Sequence, residues 1–216
     1  MRASLIQLSV AASESAGERR LGAASPVRDR VGDDLVVLPE LWAAGAWSYD
    51  RWERDAEGVD GPTAEAMSAA ARRAGVWLHA GSVVERDGDG TLYNTALLFD
   101  RAGELRGRHR KIHRYGFVVP ASWPAARLAH FQLLTRTRAL EEQVFLLACC
   151  ATGTHGDMRQ AGHSMVIDPS GTVLGDAGTA EETVTVDLDM AEVARIRSEL
   201  PVLRDRLLAI EAPVRR

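Results

Sequence analysis

A carboxylate follows directly on the short apolar run 34–38 (DLVVL), where the sequence continues Pro39, Glu40, Leu41, Trp42. A continuous apolar run closed by proline reads as a strand buried on both faces. The carboxyl end of such a strand is where α/β proteins place catalytic groups, and a glutamate there can act as a general base. A surface Glu opening a loop would look the same from this segment alone. Lys111, inside His109-Arg110-Lys111-Ile112-His113, is the next candidate: a lysine at the mouth of a sheet can stabilise a developing oxyanion, although most lysines are merely solvated. His109 and His113 have the i, i+4 spacing of a helical metal pair, but their surroundings do not read as helix, so neither a metal nor a cofactor is expected. Cys149 and Cys150 are adjacent and cannot form a disulfide framework; they read as reduced thiols, as in a cytoplasmic protein.

Such residues need a scaffold. The 216 residues, 46% hydrophobic and 26% charged, are those of one ordinary globular domain with a real core, predicted to span 1–216. The basic and acidic side chains leave a net charge of −4. The basic stretch 101–114 reads as a solvated loop or strand edge, so nucleic acid is not an expected partner. The longest apolar run, 144–151, is too short for a membrane helix, and no export signal is visible near the first residue.

Strands are expected at 4–10, 34–38, 76–85, 92–99, 104–110, 118–120, 144–150, 164–167, 172–174 and 183–188. The pattern predicts a helix over 64–74, entered through Gly61-Pro62 and left at Gly75. It predicts a second over 125–142, with Leu128, Phe131, Leu134 or Thr135, and Ala139 on one face. A last helix covers 190–200 and stops at Pro201. Residues 13–32 carry helix-compatible side chains, but Gly17, Gly22 and Pro26 argue against a single helix there. Helices alternating with many strands, and two Asp-x-x-Gly turns at 100–103 and 168–171, point to an α/β sandwich with two packed sheets and helices outside.

Five segments stand in one order: LPELW (38–42), YNTA (93–96), HRKIH (109–113), VPASWP (118–124 with Val118 at its head), and GHS (162–164) with DPSG (168–171). In that order they resemble the carbon–nitrogen hydrolase (nitrilase) superfamily, most closely its small amidase branch. The resemblance implies an αββα sandwich and a Glu–Lys–Cys set. There a cysteine thiolate attacks an amide or nitrile carbon, the Glu takes the thiol proton and later activates water, and the Lys stabilises the tetrahedral intermediate. Glu40 matches the base and Lys111 the lysine. Trp123 matches a residue of a loop lining the substrate pocket, and Tyr115, before it, is a second candidate for substrate binding. The resemblance also implies a small-molecule amide as substrate and a homodimer or higher homo-oligomer.

The sequence departs from the family where the nucleophile belongs. The family's elbow, C-Y-D-x-R-F-P-E, should lie between the lysine and the VPASWP loop. Here 113–117 (HRYGF) runs straight into Val118, and no cysteine occurs between Lys111 and Trp123. An internal deletion between about 117 and 118 would have removed the nucleophile, a second pocket glutamate, about two strands and a helix. Cys149 is a conceivable surrogate, but it follows the Trp123 loop instead of preceding it, inside a run matching a later buried strand, where a thiol packs as a small hydrophobe. Two functions follow: an amide hydrolase with little or no activity left, or a non-catalytic pseudoenzyme that keeps the fold and its self-association.

Overall fold

The computed structural model describes residues 1–112, 123–155 and 157–205. The chain opens with strand β1 (Arg2–Gln7), helix α1 (Ala16–Arg28) and strand β2 (Leu35–Val37). Helices α2 (Tyr49–Asp55) and α3 (Pro62–Ala74) follow, then the strands β3 (Trp77–Arg86), β4 (Leu92–Phe99) and β5 (Leu105–Arg110). After a 3-10 turn at Ala125–Arg127 come helix α4 (Leu128–Glu142), strand β6 (Leu146–Ala148) and the two-residue strands β7 (Thr154–His155) and β8 (Met158–Arg159). Strands β9 (Met165–Ile167), β10 (Val173–Asp176) and β11 (Glu182–Asp187) lead to helix α5 (Ala191–Glu199).

Six strands form one sheet in the order β11-β1-β2-β3-β4-β5. β1, β2 and β3 run parallel, β4 and β5 continue as an antiparallel meander, and β11 closes antiparallel against β1. A second sheet has three strands, β10-β9-β6. One face of the large sheet (Ile6, Val36, Leu78, Leu97, Phe99) lies under α1 and α3, which contribute Ala23, Ala24, Val27, Met67, Ala70 and Ala71. Its other face meets the second sheet through Leu5, Val37 and Val184 against Val166, Ala177 and Leu147. Beyond the second sheet, Phe131 and Ala139 of α4 pack on Met165 and Ile167. The layers are therefore α, β, β, α. No helix among the described residues is long and apolar enough to cross a membrane.

Several elements differ from the sequence expectation. Residues 16–28 form one continuous helix, because Ser15 and Glu18 make a reciprocal capping box; Pro26 removes one i→i−4 hydrogen bond, but only in the last turn, so no further turn of helix has to follow it. Ser15→Ala is expected to lower stability by about 1 kcal/mol, read from the urea midpoint. Helix α3 follows the expected pattern, with Pro62 at its start and Gly75 at φ +70° ending it. On α4 the buried stripe passes through Phe131 and Ala139 with Thr135 half-buried, while Leu134 faces solvent. β6, expected as a buried strand, is only half-buried; among the described residues it pairs with β9 alone and forms the edge of its sheet. The expected strand at 118–120 lies outside the described residues.

Candidate active site

The Glu40 turn is fixed from β3. The peptide N–H of Leu38 donates to the His79 carbonyl at 2.9 Å, that of Leu41 to Ser82 Oγ at 3.1 Å, and Trp42 Nε1 to the Ala80 carbonyl at 2.9 Å. Leu41 takes a left-handed φ of +52°. The turn can lie this close to β3 because Gly81, at φ +66°, has no side chain: a Cβ there would stand 1.8 Å from the Pro39 carbonyl oxygen. The β3–β4 register shifts between His79 and Ser82, so the strand bulges where it touches the turn. Local sequence gives Glu40 its position after a strand; β3 gives its side chain a direction.

Lys111 arrives from the end of β5. Its backbone N–H donates to the Asn94 carbonyl at 2.8 Å, and its Nζ lies 2.8 Å from Glu40 Oε1. Asn94 Nδ2 donates to the same carboxylate oxygen. The Glu40 side chain is 19% exposed and that of Lys111 32%, so the pair sits at the mouth of a cavity and not on open surface. Just before Lys111, the Arg110 guanidinium holds both oxygens of the buried Glu85, at 2.6 and 3.1 Å, reaches Asp87 at 2.8 Å and lies over the Tyr93 ring. Arg110 holds the Glu85 carboxyl below the ordinary carboxylate range against the opposing effect of burial. This clamp locks β5 to β4 and β3 and thereby sets where Lys111 begins.

The cavity, about 340 Å³, is bounded by Glu40, Lys111 and Asn94 together with Val37, His79, Ala96, His109, Leu147 and Cys149. His79 is half-buried with Nδ1 unpartnered, and burial pushes its pKa below the usual imidazole value. His109 is exposed on the neighbouring strand, and His113 lies outside the described residues. Among the described residues no three metal-ligating side chains converge.

The structure brings Cys149 to the wall of this cavity, with its thiol engaged by the backbone. Sγ donates to the backbone carbonyls of Ile6 and Val37, both at 3.3 Å, and Ser164 Oγ approaches it at 3.9 Å. Burial raises the Cys149 pKa strongly, and burial followed by the Glu40 charge pushes the Cys150 thiol up to about 12. Neither thiol is a thiolate at neutral pH.

Trp123 takes another role in the fold. Its ring packs against Phe131 at 5.8 Å between centroids, in the cluster with Leu128 and Leu146, and it is not among the residues bounding the cavity. Tyr115 lies outside the described residues. The GHS segment serves packing: Ser164 donates its N–H and its hydroxyl to Oε1 of the buried Gln7, both at 2.8 Å. The 168–171 segment forms a tight turn, with Asp168 Oδ1 accepting from the Ser170 and Thr172 N–H groups. Asn94 and Gly81 are the site residues that sequence reasoning left without a role; the YNTA segment was the available signal for the first, and nothing local marked the second.

A family model described as carbon-nitrogen hydrolase matches residues 2–128 and 122–198, two stretches that meet at the approach to α4. A 2-oxoglutaramate amidase of Paenarthrobacter nicotinovorans is 31% identical, with 80% of this chain and 78% of that protein covered. Omega-amidase NIT2 of Homo sapiens is 28% identical over an alignment of 274 residues that covers 97% of both chains. Among solved structures, XC1258 from Xanthomonas campestris, a CN-hydrolase superfamily protein, superposes with a TM-score of 0.89 at 24% identity, covering 98% of this chain and 99% of that one.

Proposed function

The chain belongs to the carbon–nitrogen hydrolase family, and from that premise we propose that it is an amidase-branch domain that keeps the charged half of the catalytic set and has lost the covalent half. The observation that carries this reading is the geometry around Glu40. A carboxylate and an ammonium stand 2.8 Å apart at a cavity mouth, while the Cys149 thiol in the cavity wall is bonded to backbone carbonyls. In this reading Lys111 donates to the carbonyl oxygen of a small-molecule amide, Glu40 accepts from its N–H, and Asn94 holds the carboxylate in line. No thiolate is available to form an acyl intermediate. The human relative supports the reading, since its alignment is longer than the 216 residues of this chain and so includes residues without counterparts here.

Loss of the nucleophile in a comparable hydrolase costs about 10⁶ in turnover. Ammonia release from a panel of short aliphatic amides, compared between the protein and Glu40→Gln, tests the proposal. The expected outcome is no release above the uncatalysed rate in either. Hydrolysis that disappears in Glu40→Gln, with an acyl adduct on Cys149 by mass spectrometry, would overturn it.

A further inference from the structure

Away from the Glu40 cavity, cationic side chains gather around the segment that runs from Glu40 to α2. Arg19 of α1 is buried and donates to the carbonyls of Ala43 at 3.2 Å and Ala11 at 2.6 Å. Arg51 of α2 donates to the Ala12 carbonyl. Gly45 lets these groups close up: at φ +83° it lacks the Cβ that would stand 2.6 Å from Ser48 Oγ and 2.9 Å from Arg19 Nη1. Ser48 is fully buried and, although it is the N-cap residue of α2, its side chain makes no capping bond. Its hydroxyl instead meets Nε2 of His155, at the end of β7, at 3.2 Å. That contact joins the segment after Glu40 to the β7–β8 hairpin, which forms a small sheet of its own.

The surroundings of His155 suit a neutral ring. Its Nδ1 is buried and has no hydrogen-bond partner among the described residues. A neutral imidazole carries one N–H, whereas an imidazolium carries one at each nitrogen, and the N–H at Nδ1 would have no acceptor. Charge opposes the proton as well. Burial first, then Arg19 and Arg51, hold the His155 pKa below the ordinary imidazole value, and Asp50 acts weakly the other way. The remaining acids of these elements are engaged or solvated. Glu14 lies 3.8 Å from Arg19 Nε, Glu18 is bonded to Ser15, Asp55 is held by Arg54 at 2.7 Å, and Asp157 on the hairpin is exposed.

We propose that His155 is an acid-sensitive latch: mild acid protonates the ring, the β7–β8 hairpin parts from Ser48, and the segment between Glu40 and α2 is freed. The inference goes beyond the reading of Glu40 and Lys111 and does not depend on it. Histidine is the side chain whose charge ordinarily changes in this range. Detached, the ring takes its proton near pH 6.5; attached, it resists. The stabilisation it supplies is therefore complete above about pH 6.5 and is lost as the pH falls below that value. His79 also has an unpartnered Nδ1, but it stands on β3 in the wall of the Glu40 cavity, so substitution tells the two rings apart.

Hydrogen exchange of the whole protein at pH 7.5 and pH 5, corrected for intrinsic rates, tests the proposal, with the His155 ring titrated by NMR. Residues 43–51 are expected to exchange roughly tenfold faster at pH 5, while β1 and α3 keep their rates. The midpoint of that change is expected to coincide with the midpoint of the ring. His155→Gln, uncharged at both pH values, is expected to abolish the difference, and His79→Gln to leave it in place. Ser48→Ala breaks the contact at every pH and is expected to exchange fast at pH 7.5 already; it reads the same contact should His155→Gln fail to fold. A difference that survives His155→Gln or disappears in His79→Gln would overturn the proposal. So would exchange that does not follow the ring's midpoint, or exchange in Ser48→Ala as slow as in the unsubstituted protein at pH 7.5.

Discussion

Trp42→Ala is expected to lower the unfolding free energy by about 3–5 kcal/mol, the usual cost of emptying a fully buried aromatic site. Trp42 is 1% exposed, packs in the cluster under α1 and α3, and donates Nε1–H to the Ala80 carbonyl. Truncation removes the packing and also leaves a buried carbonyl without its donor. Against a net stability of about 5–15 kcal/mol for a domain, that is about a fifth of the total or more. The urea midpoint measures it. Trp42→Phe, which keeps most of the volume and loses the hydrogen bond, is expected to cost about 1–3 kcal/mol. A Trp42→Ala cost below about 1 kcal/mol would show that this side chain does not anchor the turn behind Glu40.

The second large effect is alkaline destabilisation through the paired thiols. In the unfolded chain a thiol ionises near pH 8.5. In the folded protein burial pushes Cys150 up to about 12 and Cys149 strongly in the same direction. The native state therefore holds these protons more tightly, so their contribution is complete below about pH 8.5 and is lost as pH climbs toward the folded values. Above about pH 9 stability is expected to fall by roughly 1.4 kcal/mol per pH unit for each thiol. The double variant Cys149→Ala, Cys150→Ala is expected to flatten that slope in denaturation series between pH 8 and 10. Iodoacetamide at pH 8 is expected to label the native thiols at least a hundredfold more slowly than the urea-unfolded ones. Rapid native labelling of Cys149 would instead identify a working nucleophile and reopen covalent chemistry at the site.

Much of the architecture was legible because it is local. Strand β2 follows from an unbroken apolar run stopped by Pro39, and α3 from Pro62 at one end and Gly75 at the other. Glu40 and Lys111 stood out by position after strands, and their ion pair joins the two. What sequence reading lost has particular causes. For α1, the capping box of Ser15 and Glu18 was present but was outweighed by Gly22 and Pro26. Helix α2 has seven residues and buries none of them fully, so it carries no amphipathic period to read. Asn94 acquires meaning only when β4 lies between the Glu40 turn and β5. Gly81 is needed because Pro39, far from it in sequence, passes too close for any side chain. Trp123 sits in a segment that suggested a pocket loop, while its ring is held by Phe131.

The antiparallel pairing of β1 with β11, Arg2 opposite Asp187 through Gln7 opposite Glu182, joins the two ends of the folding unit. A nascent chain leaving the ribosome can lay β1 beside β2 early, but the other border of β1 stays bare until residues 182–187 have cleared the exit tunnel. Such distant closure makes the final step slow and leaves an adhesive seam exposed while synthesis continues. Any product that stops short of residue 182 would carry that seam permanently, so truncated forms should be recovered from cells in aggregates or bound to chaperones, not as free monomers.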